Sequence, residues 1–261
     1  MHTVQAYRRN AIWAGIFFII ATAFLFVGEA FYGPALKDPN ILTAAAGAEN
    51  DITLGVLIEF ACVLAIPAIA IALYPVLRRV SVSLAVGYVA FRLFEAAIFF
   101  QMEIDRLLVL GISRAYVASP TEGTEQLELL LATLTGGEAF SGTTGPLYNL
   151  VFVTGMLMLN WMLWKSRLVP RWMTGWGIVS AVILGGLAIA VLFFEVPSAF
   201  AVALIAPLAV QEMVMAGWFI FRGFEKDALA ELAESDWPDT PSVLANVDDR
   251  EPAIAGMPQG R

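Results

Sequence analysis

Six apolar runs of membrane-spanning length dominate the chain: Ala11 to Phe31, Ile52 to Leu77, Val82 to Gln101, Pro146 to Trp164, Trp172 to Phe194 and Ser198 to Phe221. Crossing about 30 Å of hydrocarbon takes about 20 residues at a helical rise of about 1.5 Å each. Lipid offers no hydrogen bonds, so a spanning element must satisfy its own backbone, which admits helices and closed barrels only. The runs therefore predict an all-α polytopic membrane protein, a six-transmembrane-helix bundle over residues 1–224, with the lipid bilayer as its first partner. Composition agrees: 59% of residues are hydrophobic and 15% charged, against about 45–50% and about 25% in a soluble domain. The first run follows Arg8 and Arg9 but exceeds the roughly 7–15 residues of a signal-peptide core and lacks a small-residue cleavage site, so it reads as a retained helix.

Orientation follows from the lysines and arginines near the span ends. One side carries Arg8, Arg9, Arg78, Arg79, Lys165, Arg167, Arg171, Arg222 and Lys226; the other has Lys37, Arg106 and Arg114. The first side is expected to be cytoplasmic, which places both termini there. The short loops on that side hold no acid, whereas the opposite loops carry Asp38, Glu49, Asp51, Asp105, Glu122, Glu125, Glu128 and Glu138. This asymmetry accounts for the basic loops, and no nucleic-acid partner is implied.

Most of the formal charge of −8 belongs to the C-terminus, because Arg222 to Arg261 holds nine acids and four bases. Residues 225–261 also contain Pro238, Pro241, Pro252 and Pro258, and beyond one or two amphipathic turns near Ala228 to Ala233 they read as a disordered cytoplasmic extension. The single cysteine, Cys62, and single histidine, His2, exclude an internal disulfide and argue against zinc, iron–sulfur or histidine-ligated haem sites. No Walker, Rossmann or Gly-x-Ser-x-Gly pattern is present, so no cofactor is implied and enzymatic activity is disfavoured.

In the loop after the third run, Ser119-Pro120-Thr121-Glu122 fits a capping box with proline at the first helical position. Leu127, Leu130, Leu131 and Leu134 follow at i, i+3, i+4, i+7 until Gly136-Gly137. An amphipathic helix is expected there, lying on the membrane surface or closing over the bundle. Gly177, Ala181 and Gly185 recur every four residues in the fifth run, which suits close helix approach in lipid. Pro67 and Pro207 are expected to kink the second and sixth spans.

Charges inside the runs are the candidate site. Arg92 lies about nine residues from the cytoplasmic end of its span, roughly 14 Å deep. Glu95 shares its face three positions on. Glu59 on the second span and Glu212, beside Gln211, on the sixth add two carboxylates. A charge at the centre of a span costs about 2.5–3.5 kcal/mol on insertion scales, and one arginine cannot neutralise three glutamates. The excess calls for protonation, a bound cation or a water-filled cavity. Glu29, Glu103 and Glu195 are placed at the outer interface and left out of the set. Asn149 and Asn160 on span four are secondary candidates for interhelical hydrogen bonds. Two readings remain open: a site for a small solute, proton or cation, in transport or sensing, and a non-catalytic scaffold whose charges fix helix packing. Intramembrane catalysis ranks below both, and the oligomeric state is left open.

Tyr7-Arg8-Arg9 before the first span, Leu73-Tyr74-Pro75-Val76-Leu77-Arg78-Arg79 after the second, Phe91-Arg92-Leu93-Phe94-Glu95-Ala96 in the third and Ser166-Arg167-Leu168-Val169-Pro170-Arg171-Trp172 before the fifth resemble bacterial membrane proteins of domain-of-unknown-function family 4386. The likeness covers about Tyr7 to Phe224. It implies a six-helix protein of the bacterial inner membrane and supplies no activity.

Overall fold

The computed structural model describes residues 2–118, 124–135 and 144–234. The described residues form helices and no strand: α1 (His2–Leu36), α2 (Ile41–Gly47), α3 (Glu49–Leu77), α4 (Val82–Ala118), α5 (Thr124–Thr135), α6 (Thr144–Ser166), α7 (Arg171–Ala190), α8 (Ser198–Phe221) and α9 (Lys226–Glu234). Six of them, α1, α3, α4, α6, α7 and α8, are long and apolar enough to cross a membrane. The chain is a six-span helical bundle. Leu57, Ile71, Phe94 and Val179 stay exposed along its flanks, where acyl chains rather than water cover them.

Consecutive spans pack side by side, α1 on α3, α3 on α4, α4 on α6, α6 on α7 and α7 on α8, and α8 returns to α1. The spans thus close a ring. Glycines set its tightest contacts. A Cβ at Gly15 of α1 would lie 2.6 Å from the Ala216 carbonyl oxygen of α8, and one at Gly177 of α7 would overlap the Asn160 side chain of α6. Small residues give such approaches in lipid, where no hydrophobic drive pulls helices together. The Gly177, Ala181, Gly185 stripe faces α6 as its spacing predicts, with a Cβ at Gly185 placed 3.3 Å from Val153.

Three spans end elsewhere than the hydropathy suggests, α1 running on from Phe31 to Leu36. Helix α4 does not stop at Gln101 but runs on to Ala118. Its buried positions Tyr88, Arg92, Glu95, Phe99, Glu103, Arg106, Leu110 and Ser113 recur at spacings of three and four, so the helix keeps one face against its neighbours beyond the apolar run. Helix α7 ends at Ala190 rather than Phe194, where the Leu192 and Phe193 amides bond three residues back, to the Ile189 and Ala190 carbonyls at 3.1 Å each, in place of the four-back α-helical pattern.

Small helices close both ends. At the end bearing Lys37 and Arg114, Leu131 of α5, with Leu127 and Leu134 beside it, packs against a cluster that includes Tyr32, Leu42, Ile52 and Val109. Helix α5 therefore closes over the bundle. Leu130 is 48% exposed and lies off this contact, since the buried seam is the narrower Leu127, Leu131, Leu134 set. The capping box at Ser119 to Glu122 lies outside the described residues, as does the tail after Glu234. At the opposite, basic end, α9 docks Ala228 and Leu229 on the main core, and the Glu225 amide bonds the Leu168 carbonyl at 3.0 Å.

Candidate functional site

The buried charges separate into two clusters strung along one face of α4. The first joins Arg92 to Glu95, with Nη1 donating to Oε2 at 2.8 Å. One helical turn makes this pairing available, and the helix itself sets its geometry. Tyr148 of α6 donates its hydroxyl to Glu95 Oε1 at 3.3 Å, and the Arg92 guanidinium lies 5.8 Å from the Phe152 ring centre. Glu212 of α8 accepts a long bond, 3.4 Å, from the Thr22 hydroxyl of α1 and stands in the electrostatic field of Arg92 and Glu95. Four spans therefore converge on it. Arg92 is only 2% exposed and ranks with the largest fully buried side chains.

The second cluster contains two residues that hydropathy assigns to water. Arg106 Nη1 donates to Glu59 Oε2 at 2.9 Å and also to Glu103 Oε1. Tyr32 of α1 donates its hydroxyl to the other Glu59 oxygen at 2.7 Å, and the Arg106 guanidinium stacks 4.4 Å from the Tyr32 ring centre. Glu59, Glu103 and Arg106 are 0%, 2% and 5% exposed. Glu103 is thus not an interfacial, solvated acid, and Arg106 is not a loop cation. Both continue the buried stripe of α4, which a window averaging hydropathy over a whole turn cannot register. The spacing alone was a usable signal: Arg92-x-x-Glu95 is followed on the same face by its mirror, Glu103-x-x-Arg106.

Glu59 accordingly leaves the Arg92 set and joins Arg106. Between the clusters lies an apolar layer of Cys62, Val63 and Ile66 from α3 with Ala96 and Phe99 from α4, packed by Leu25 of α1 and Tyr148 of α6. Gln211 does not touch the carboxylates. Its amide nitrogen reaches the Met173 carbonyl of α7 at 3.4 Å and the Met215 sulfur at 3.9 Å. Asn160 bonds within its own helix, to the Met156 carbonyl at 2.9 Å, rather than across helices, and Asn149 is half-buried. Among the described residues no group of three or more His, Cys, Asp or Glu side chains could hold a metal ion.

The family model described as a domain of unknown function, DUF4386, matches residues 13–223. The chain belongs to this family. No curated protein and no solved structure matches it. Every residue of both clusters falls within the DUF4386 match, whereas Tyr7-Arg8-Arg9 and α9 lie beyond it.

In this DUF4386 chain each cluster has one guanidinium for two carboxylates. With every group ionised each would carry a net charge of −1 in a medium where an unpaired charge costs several kcal/mol. Several buried polar atoms also lack a hydrogen-bond partner among the described residues, including Arg92 Nε, the Tyr88 hydroxyl and Glu103 Oε2. Such atoms in native proteins normally have a partner, often water. The arrangement can hold protons or a small polar ligand and can position them between fixed charges.

Proposed function

We propose that the protein is an ion-coupled transporter or ligand sensor of the inner membrane, with both termini cytoplasmic and its working site at Arg92, Glu95 and Glu212. The observation that carries this is the second, unmatched carboxylate: Arg92 is committed to Glu95 at 2.8 Å, and among the described residues Glu212 receives only the long Thr22 bond. A proton, a cation or the amine of a small solute would complete the cluster, and intramembrane carboxylates usually mark such paths. Arg92 Nε and the Tyr88 hydroxyl, both without partners among the described residues, add two donors for water or a polar ligand, and Tyr88 lies in the field of Arg92, Glu95 and Glu212. Orientation rests on the nine basic residues at the end that holds both termini.

The scaffold reading has one observation in its favour, the Arg106–Glu59 pair that joins α4 to α3, because polar contacts between spans also serve as helix glue. Reconstitution separates the two. Vesicles containing the protein and an enclosed pH indicator should dissipate an imposed proton gradient, alone or on addition of a co-transported solute. For a sensor, the melting midpoint in detergent should instead move with pH or with added sodium or potassium. Glu212→Gln, which keeps shape but cannot ionise, should abolish the flux or the cation response while leaving expression intact. A wild type with no flux and a midpoint indifferent to pH and cations would establish the scaffold.

A further inference from the structure

We propose that Glu59 and Glu103 form a second proton-binding site, a carboxyl and carboxylate pair that holds one proton between α3 and α4 and is anchored by Arg106. The inference concerns proton occupancy and stands whether or not the Arg92 cluster supports transport.

The geometry is that of two acids brought to one cation. A single nitrogen, Arg106 Nη1, serves both carboxylates, which brings their oxygens into proximity. Ionised carboxylates are acceptors only and offer each other no donor, so a proton is what lets two of them lie side by side on one nitrogen. Carboxyl groups sharing a site do not both ionise when the site is dry. Glu103 Oε2 has no donor among the described residues and gives the proton a place, while the Tyr32 hydroxyl and Arg106 direct their donors onto Glu59. One proton held between the two carboxyl groups leaves the pair with a single negative charge, which Arg106 balances.

A metal cation is the competing occupant, and packing disfavours it. A Cβ at Gly28 of α1 would lie 2.8 Å from Glu59 Oε1 and 2.9 Å from the Gly55 carbonyl oxygen, and one at Gly55 of α3 would lie 2.7 Å from the Gly28 carbonyl oxygen. The α1 and α3 backbones are therefore pressed together around the Glu59 side chain, and the guanidinium already occupies the electrostatic centre. A proton adds almost no volume, and binding it neutralises a carboxylate whose charge burial disfavours.

Other ionisable groups facing the pair are few. Helix α1 presents Tyr32, with the Glu29–Lys37 pair farther out at the exposed rim. Helix α3 presents Cys62 a turn inward, α2 has no ionisable residue, α6 presents Tyr148, which is bonded to Glu95, and Glu125 and Glu128 of α5 are exposed.

Infrared difference spectroscopy on the full chain in phosphatidylcholine vesicles, between neutral and alkaline pH, reads the protonated carboxyl directly through its carbonyl stretch. One band should vanish on raising the pH, should be missing in Glu59→Gln and equally missing in Glu103→Gln, and should survive in Glu212→Gln. Tyr32→Phe, which alters no charge and serves if a glutamine variant fails to fold, should shift the frequency of that band by removing the bond to Glu59. The proposal is overturned by a band that persists in either glutamine variant, by different bands lost in the two, by a band indifferent to Tyr32→Phe, or by removal of the band with sodium or potassium at fixed pH.

Discussion

Arg106 of α4 donates to Glu59 of α3 at 2.9 Å while both side chains are almost entirely withdrawn from solvent. This bond crosses a span interface, unlike Arg92–Glu95, which lies within one helix. Losing Arg106 would strand the Glu59 and Glu103 pair, whose negative charge it alone balances among the described residues. Arg106→Met should therefore destabilise the bundle by about 3–5 kcal/mol, the usual cost of breaking a buried pair from one side. The triple change Arg106→Met, Glu59→Met, Glu103→Met should recover most of that loss. Thermal unfolding in detergent measures both, and a triple variant no more stable than the single would mean that the carboxylates do not depend on Arg106.

The intrahelical pair predicts a different cycle. Arg92→Met should destabilise more than Arg92→Met combined with Glu95→Met, because the single change leaves Glu95 bonded only by Tyr148 at 3.3 Å and the double change removes both charges. Glu212 keeps the double variant below wild type, since it loses the field of Arg92. Strictly additive losses would show that the two residues do not interact.

The glycines of the α1–α3 contact give a steric test. Gly28→Ala and Gly55→Ala would each place a methyl group within 3 Å of backbone oxygen on the facing helix. Backbone cannot swing aside as a side chain can, and each variant should cost about 1–3 kcal/mol. Gly111→Ala and Gly217→Ala meet nothing within 4 Å and should gain about 0.5–1 kcal/mol from helix propensity. If all four behaved alike in unfolding experiments, the close approach around Glu59 would be refuted.

The number of spans was legible because it depends on run length alone, a property of each segment by itself. The end of α4 was not, because the apolar run stops near Gln101 and the helix continues on periodicity. Glu103 and Arg106 keep the spacing of Arg92, Glu95 and Phe99, but their charge lowers any averaged hydropathy to that of a loop. Arg92–Glu95 could be read from the sequence, being three residues apart on one helix. Glu59–Arg106 could not, since it depends on how α3 and α4 slide against each other, and Gly28 and Gly55 on facing helices govern that packing around Glu59. Gln211 adjoins Glu212 in sequence yet turns to α7, as neighbours on a helix point about 100° apart.

Helix α5 distinguishes two adjacent leucines. Leu131 is buried at 9% exposure, whereas Leu130 is 48% exposed. Leu131→Ser should detach α5 and raise amide hydrogen exchange across Thr124–Thr135, while Leu130→Ser should leave exchange near wild type. Equal exchange in the two variants would place α5 on the membrane surface rather than on the bundle.

The closure of the ring predicts a clamp at its basic end. Arg8 of α1 donates to three carbonyls at the end of α8, Phe219 at 2.9 Å, Ile220 at 2.6 Å and Phe221 at 3.2 Å. These are acceptors that the last turn of a helix leaves without partners, and a cation there also meets the negative end of the helix dipole. The chain then turns through Gly223 at φ +76, where a Cβ would stand 3.1 Å from Arg8 Cδ, so the turn and the arginine are matched. Arg8→Ala should cost about 1.5–3 kcal/mol, the range for hydrogen bonds to a charged group. Arg8→Lys should recover only part of it, because an ammonium is a single point where the guanidinium is a fork that reaches several carbonyls at once. Gly223→Ala should be destabilising in its own right through the left-handed backbone, and combining it with Arg8→Ala should cost less than the two losses added, since the smaller side chain removes the clash. Unfolding midpoints of the three single variants and the double provide the cycle. A lysine variant as stable as wild type would mean that charge near the α8 terminus, and not the three-carbonyl grip, joins the last span to the first.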